Sequence, residues 1–388
     1  MEIKYGLISC DSHAQPRHDA FTKRMSEAKW GDKIPQLKET TDKAHMAVPY
    51  DRTVERWFIN GELVGNRGVV NCPTVMDDPM RKYFPQRWEE VPAIVYDPVE
   101  RLKALDDDRI DGEVLFPNDP VQSATFFQGD AEFELDCVRA YNDEIAEWRE
   151  VSDRYIPLAI IPYLSDLDVT LAEVKRAVKK GHKGITMLAE PSQTRPGLHH
   201  FNDPYWHPLW EVCQDLDIPI HWHASAGLAL KMPRWKGYTR NQEQAMGPSG
   251  GFSTAAQFMP NLLFSGVLDL YPRLKWVSAE TGLGWLNFIL EGCDHEWERR
   301  HLWTEGILTR PSELFKRQLY VDFWYEEAGI QQRHNIGIDN IMWEADYPHS
   351  TSTYPESWEF VERSLQGVPQ DERDKLLYKN AMRVYDLV

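Results

Sequence analysis

Tyr5-Gly-Leu-Ile-Ser-Cys10-Asp11-Ser12-His13 opens the chain, and the fold is read outward from it. The apolar run over residues 3–9 reads as a first β-strand, which Asp11-Ser-His13 closes. Side chains two apart on a strand point the same way. Asp11 and His13 therefore offer a carboxylate and an imidazole to one point in space, as a divalent metal requires of two ligands. An isolated Asp-x-His is more often a turn carboxylate and a surface histidine. Its weight here comes from partners far downstream, each closing another apolar run.

Seven more strand-like runs follow, over 113–116, 156–161, 185–188, 218–223, 275–279, 319–323 and 341–344. Helical patterns alternate with them over 98–107, 132–152, 168–180, 204–216, 284–301 and 311–317, and a last one covers 371–385. The 204–216 helix is announced by Asp203-Pro204, an N-cap followed by proline at the first helical position. Apolar strands alternating with helices argue for a parallel sheet covered by helices. Eight of them predict an α/β fold, a (β/α)8 TIM barrel, which usually needs about 250 residues. The 388 residues then form one barrel domain, 1–388, with insertions after strands one and five. The first, about 14–96, forms a cap in which 55–64 reads as a hairpin turning on Asn60-Gly61. The second, about 224–255 and rich in Gly, Pro and Met, reads as an active-site loop.

Lys and Arg number 43 against 61 Asp and Glu, a formal charge of −18. Such a surface repels nucleic acid and anionic membranes, so neither is expected as a partner. No apolar stretch of about 20 residues spans a membrane and no signal peptide is read. Five scattered cysteines without a Cys-x-x-Cys suggest a reduced, cytoplasmic protein. The 15 tryptophans, many in loop-like insertions, make a homo-oligomer, or pairing with a related subunit, the expected assembly.

The downstream strand ends carry the chemistry. Strand five ends Ile218-Pro-Ile-His221-Trp-His223. His223, nearer the strand end, is the metal-ligand candidate. His221 lies a layer deeper, where packing, a second-shell hydrogen bond or a second metal would use it. Strand six ends in Glu280 followed by glycines, a position for a ligand, a general base or a helix cap. Strand eight ends Ile341-Met-Trp-Glu-Ala-Asp346-Tyr-Pro-His349. Asp346 is read as a ligand and proton acceptor, and His349 as a neighbour or a ligand to a second metal. Residues of this kind on strands one, five, six and eight would meet at one barrel face, where barrel sites collect.

The combination resembles the amidohydrolase superfamily. Within it, the likeness is to the amidohydrolase 2 branch that includes aminocarboxymuconate semialdehyde, γ-resorcylate and carboxyvanillate decarboxylases. The likeness rests on Asp11-Ser-His13, Ile110-Asp-Gly-Glu-Val-Leu-Phe-Pro117, Lys183-Gly184, Asp203-Pro-Tyr-Trp-His-Pro-Leu-Trp210 and Ile218–His223. Its most specific blocks are Pro272–Trp285 and Ala345-Asp-Tyr-Pro-His349. The resemblance implies a barrel with one divalent metal, sometimes two, held by Asp11, His13, His223 and Asp346. Two positions depart from it: Asp11 stands where histidine is frequent, and Glu280 where many relatives carry histidine. Both make the site more oxygen-rich and move the expected ion from Zn2+ toward Mn2+ or Fe2+.

Three enzymatic readings follow for a small-molecule substrate: a metal-dependent hydrolase, a non-oxidative decarboxylase of a small, aromatic carboxylate, or a non-heme di-iron oxygenase. In the first two, Asp346 and Glu280 are the catalytic residues. In the third, the ligand set with His349 serves two metals. A barrel that has lost its chemistry and binds a partner subunit is the non-enzymatic alternative.

Overall fold

The structure, a computed structural model, describes residues 1–387 apart from 44–49, 65–67, 71–84, 119, 122–129, 225–234, 240–241, 243–244, 247–248 and 251–253. Most of the expected active-site loop at 224–255 lies outside the described residues.

Eight parallel strands follow one another around the barrel: β1 (Ile8–Ala14), β5 (Gly112–Pro117), β6 (Tyr155–Ala159), β7 (Gly184–Thr186), β8 (Ile220–His223), β9 (Trp276–Ala279), β10 (Leu319–Phe323) and β11 (Ile341–Trp343). Helices pack outside them, including Pro98–Asp107, Ala131–Val151, Leu167–Lys179, His207–Asp215, Leu286–Arg300 and Pro311–Gln318. A (β/α)8 barrel results. Alternation sorts the strand residues into two cores. Ile8, Cys10, Val114, Phe116, Ile156, Leu158, Val277, Ala279, Tyr320 and Met342 form one with Ala381, Val384 and Tyr385 from the chain's end. Leu115, Ala159, Ile185, Ile220, Trp276, Val321 and Ile341 belong to the other, with the helices. The same alternation carries Asp322 and Glu344 to the side of Tyr320 and Met342.

Between β1 and β5 the chain builds an antiparallel sheet of β2 (Gln36–Asp42), β3 (Arg52–Ile59) and β4 (Glu62–Val64). Its second turn is the expected hairpin. Asn60 and Gly61 both take positive φ, 55° and 79°, the backbone that Asn-Gly tolerates and a tight two-residue loop demands.

The first strand needs correcting: it starts at Ile8, not at residue 3. Residues 4–7 cannot pair as a strand because Asp111 takes their amides. Its carboxylate accepts from Lys4 (2.8 Å), Tyr5 (2.9 Å), Gly6 (2.6 Å) and Leu7 (3.1 Å). The strand then runs on through Asp11 and His13, with a bulge between Ser9 and Ser12. Bulges re-aim side chains, and this one lies where the site begins. The last helical pattern is also broken, into Gln370–Asp374, a π-turn at Lys375–Lys379 and Asn380–Val384.

Gly184 is required by packing: a Cβ there would meet His221 Cε1 at 2.6 Å and Leu158 Cδ2 at 2.9 Å. Nearby, buried His182 holds the end of the Leu167–Lys179 helix through Nδ1, 3.1 Å from the Ala177 carbonyl. Burial pushes its pKa down to about 4. The unfolded chain therefore binds this proton first, and His182 withdraws stability as pH falls from about 6.5 toward 4. The slope contributed is at most about 1.4 kcal/mol per pH unit. His182→Gln should flatten the pH dependence of the urea midpoint in that window relative to wild type; parallel curves would refute it.

Candidate metal centre

The four strand ends of the sequence reading converge at one mouth of the barrel. Bulged β1 brings Asp11 and His13 there, fully buried. β8 ends on His223, Glu280 follows β9, and Asp346 and His349 follow β11.

The first and last strands meet here. Asp346 N donates to the Asp11 carbonyl at 2.9 Å, and His13 N to the Tyr347 carbonyl at 2.6 Å. Ala345 N donates to Ser9 Oγ at 2.9 Å. The ligand candidates of β1 and β11 thus lie on the two sides of the seam that closes the barrel. Two of the turns are made in left-handed backbone: Glu280 at φ 55° and Asp346 at φ 53°. For a non-glycine residue that costs about 1–2 kcal/mol, and such strain concentrates at functional sites.

His13 Nδ1 lies 2.9 Å from the Pro117 carbonyl. A carbonyl only accepts, so Nδ1 carries the proton. Burial, with help from His349, pushes the imidazole pKa down to about 4, leaving Nε2 with a bare lone pair at neutral pH. That lone pair faces His223 Nε2 at 3.1 Å and two carboxylate oxygens, Asp11 Oδ1 at 3.4 Å and Asp346 Oδ1 at 3.4 Å. His223 Nε2 is also 3.2 Å from Asp11 Oδ2. Among the described residues neither Asp11 oxygen accepts a hydrogen bond, although both are buried. Converging lone pairs and orphaned carboxylate oxygens are costly alone and fit a cation held among them.

The donor atoms fall into two triads that share His13, namely Asp11, His13 and His223, and His13, Asp346 and His349. The His349 ring lies against that of His13, centroids 3.8 Å apart and planes tilted by 31°, with Nδ1 2.8 Å from Asp346 Oδ1. Thr351 Oγ1 donates to the other Asp346 oxygen. Burial works to raise the Asp346 pKa, but His349 and His13 outweigh it and hold the carboxyl below its ordinary range.

Glu280 joins neither triad; its Oε2 stands 3.4 Å from His223 Nε2. Burial first, then Asp346 and Asp11, pushes its pKa well up, so this carboxyl favours its proton. The helix-cap reading does not hold, since the next helix starts at Leu286. His221 stays out of the cluster with both ring nitrogens engaged: Nδ1 at 3.0 Å from the Ile185 carbonyl and Nε2 at 2.9 Å from Tyr385 Oη. A second metal finds no free nitrogen there.

Three features went unread in the sequence. Glu344 Oε2 accepts from Glu280 N at 2.9 Å, while its Oε1 and both Asp322 oxygens are buried without hydrogen-bond partners among the described residues. Burial and the negative neighbours raise both pKa values, Asp11 and Asp322 acting on Glu344, Asp11 and Glu326 on Asp322. Period-2 spacing from Asp346 back to Glu344 was the available signal. Phe116 packs beside both imidazoles, its ring centroid 6.0 Å from His13 and 5.0 Å from His223.

The family model described as Amidohydrolase matches residues 44–387. The chain belongs to the amidohydrolase family. Among relatives of this amidohydrolase is the decarboxylase orsB of Emericella nidulans, 26% identical over 317 residues that cover 77% of this chain and 89% of that protein. An amidohydrolase of Mycobacterium avium subsp. paratuberculosis superposes with a TM-score of 0.73 at 17% identity, covering 99% of this chain and 100% of that one. A dihydroxybenzoic acid decarboxylase of Polaromonas sp., solved with manganese and 2-nitroresorcinol, gives 0.63 at 18% identity, covering 99% and 98%.

His13→Ala removes the one donor shared by both triads. Metal analysis of the purified variant should find far less than the roughly one ion per chain expected for wild type; equal content would exclude His13 as a ligand.

Proposed function

We propose that this amidohydrolase-family enzyme is a Mn2+-dependent, non-oxidative decarboxylase of a small aromatic hydroxycarboxylate. Asp11, His13, His223 and Asp346 would hold the ion, and Glu280 would stand beside it. The observation that carries the reading is the cluster's chemistry: a bare His13 nitrogen facing His223 Nε2, with the buried carboxylates of Asp11 and Asp346 in the two triads that share His13, and a proton-favouring carboxyl alongside. Its oxygen-rich donors suit Mn2+ better than Zn2+. The decarboxylase named among the relatives and the manganese in the Polaromonas structure support the choice of reaction and ion.

When bound, the ion supplies positive charge for a substrate carboxylate and an adjacent hydroxyl oxygen. The chain's residues handle the proton. The bond between ring and carboxylate carbon breaks, its electron pair stays on the ring carbon, and CO2 leaves. The ring carbon then needs a proton. Glu280, kept neutral by burial and by its anionic neighbours, stores it, and Asp346 delivers it at the reacting carbon. His349 and Thr351 hold Asp346 from two sides and so fix the direction of transfer. Buried walls exclude water that would compete for that proton. Hydrolysis is the alternative chemistry for the same donors, with Asp346 taking a proton from water instead.

Mn2+-loaded protein incubated with ortho-hydroxybenzoates, beginning with 2,6-dihydroxybenzoate, should release CO2 in step with substrate loss. No CO2 from any member of such a panel, together with cleavage of amide or ester analogues, would replace the decarboxylase with a hydrolase. Asp346→Asn keeps an oxygen toward the ion but cannot relay the proton. Its turnover should fall about 10²–10⁴-fold with most of the metal retained; full turnover would remove Asp346 from proton transfer.

A further inference from the structure

We propose that Arg101 is a positioning residue whose guanidinium sets the spacing of His13 and Asp346 across the barrel seam. The inference rests on the metal reading of the site. Arg101 projects from the Pro98–Asp107 helix and is fully buried. Its Nη2 donates to Glu113 Oε2 at 2.8 Å and to the Tyr347 carbonyl at 3.2 Å, and lies 3.5 Å from the His13 carbonyl. The guanidinium stacks on the Tyr347 ring, 3.9 Å from its centroid.

These contacts converge on the backbone that carries the ligands. The Tyr347 carbonyl that receives Arg101 also receives His13 N. Tyr347 is bonded to Asp346, and His13 supplies the facing ligand. Glu113, on β5, anchors the guanidinium from the neighbouring strand, and its second oxygen has no hydrogen-bond partner among the described residues. One planar cation thus ties β5, β1 and the turn after β11 together behind the metal donors. A lysine cannot reproduce this: it offers a point charge, without the fork or the stacking plane. Nη1 reaches the Ile94 carbonyl at 3.5 Å, while both backbone contacts of Nη2 fall on the two ligand-bearing segments.

The test uses the full-length protein, stripped with a chelator and titrated with Co2+, whose visible spectrum reports ligand geometry. Arg101→Met should stay folded, bind Co2+ about 10–100-fold more weakly, as loss of a group supporting ligands does, and shift the visible bands. Arg101→Lys should regain stability but keep the shifted bands. Arg176→Met is the control. It strips the buried Glu173, which Arg176 meets at 2.7 Å on an outer helix, and should lower the melting temperature without changing Co2+ affinity. If Arg101→Met does not fold, Glu113→Gln, which preserves shape and removes the anchoring charge, should show the same weakening. Affinity within about twofold of wild type with unchanged bands, in either variant, overturns the proposal. Wild-type protein that binds no Co2+ overturns the metal reading itself, and the two failures are told apart by that first titration.

Discussion

An eight-stranded parallel barrel closes only if its last strand meets its first, and in this chain that closure and the site are one structure. β11 is only three residues long. The seam is made largely beyond it, by backbone bonds between Asp11, Ser12 and His13 on one side and Asp346 and Tyr347 on the other. The bond from Asp346 N to the Asp11 carbonyl joins two donor candidates directly, and that from His13 N ends on Tyr347, the neighbour of Asp346. A change in the seam is therefore a change in the site, and the positive-φ turn at Asp346 is accepted because both strands hold it.

The second consequence is electrostatic. Asp11, Glu280, Asp322, Glu344 and Asp346 are all buried at or just inside the mouth. Burial of so many carboxylates is unfavourable unless cations or protons accompany them. The neutral imidazoles of His13 and His221 supply no charge, their pKa values being held down at about 4 and about 3. In the proposed reading one divalent ion would balance Asp11 and Asp346. Protons remain for Glu280, Glu344 and Asp322, all of which are pushed up. The same crowding would give rise to both the proposed metal affinity and the stored acidity, which suits a reaction that exchanges CO2 for a proton.

Much of this was legible in the sequence because barrel strands are buried on both faces and read as uninterrupted apolar runs. The run at 319–323 coincides with β10, and most others are displaced by one or two residues. The strand-end rule singles out Asp11, His13, His223 and Asp346, which lie together at one mouth of the barrel, because ionisable side chains interrupt an apolar pattern there. It failed where a distant group takes over the backbone. Asp111, about 100 residues away, removes residues 4–7 from the first strand, and no local pattern announces it. Arg101 was invisible for the same reason: on its helix it reads as a surface residue, and only the seam buries it. His221 and His223 share a strand face, and sequence alone separates them by depth only; the Tyr385 hydroxyl from the far end of the chain marks His221 as structural.

The most direct test of this account is a crystal structure of the protein grown with Mn2+, with anomalous scattering collected near the manganese edge. One peak should lie about 2.0–2.3 Å from an Asp11 oxygen, His13 Nε2, His223 Nε2 and an Asp346 oxygen, on the β1–β11 seam. A manganese peak elsewhere in the barrel, or none at this cluster with the ion in excess, would contradict it.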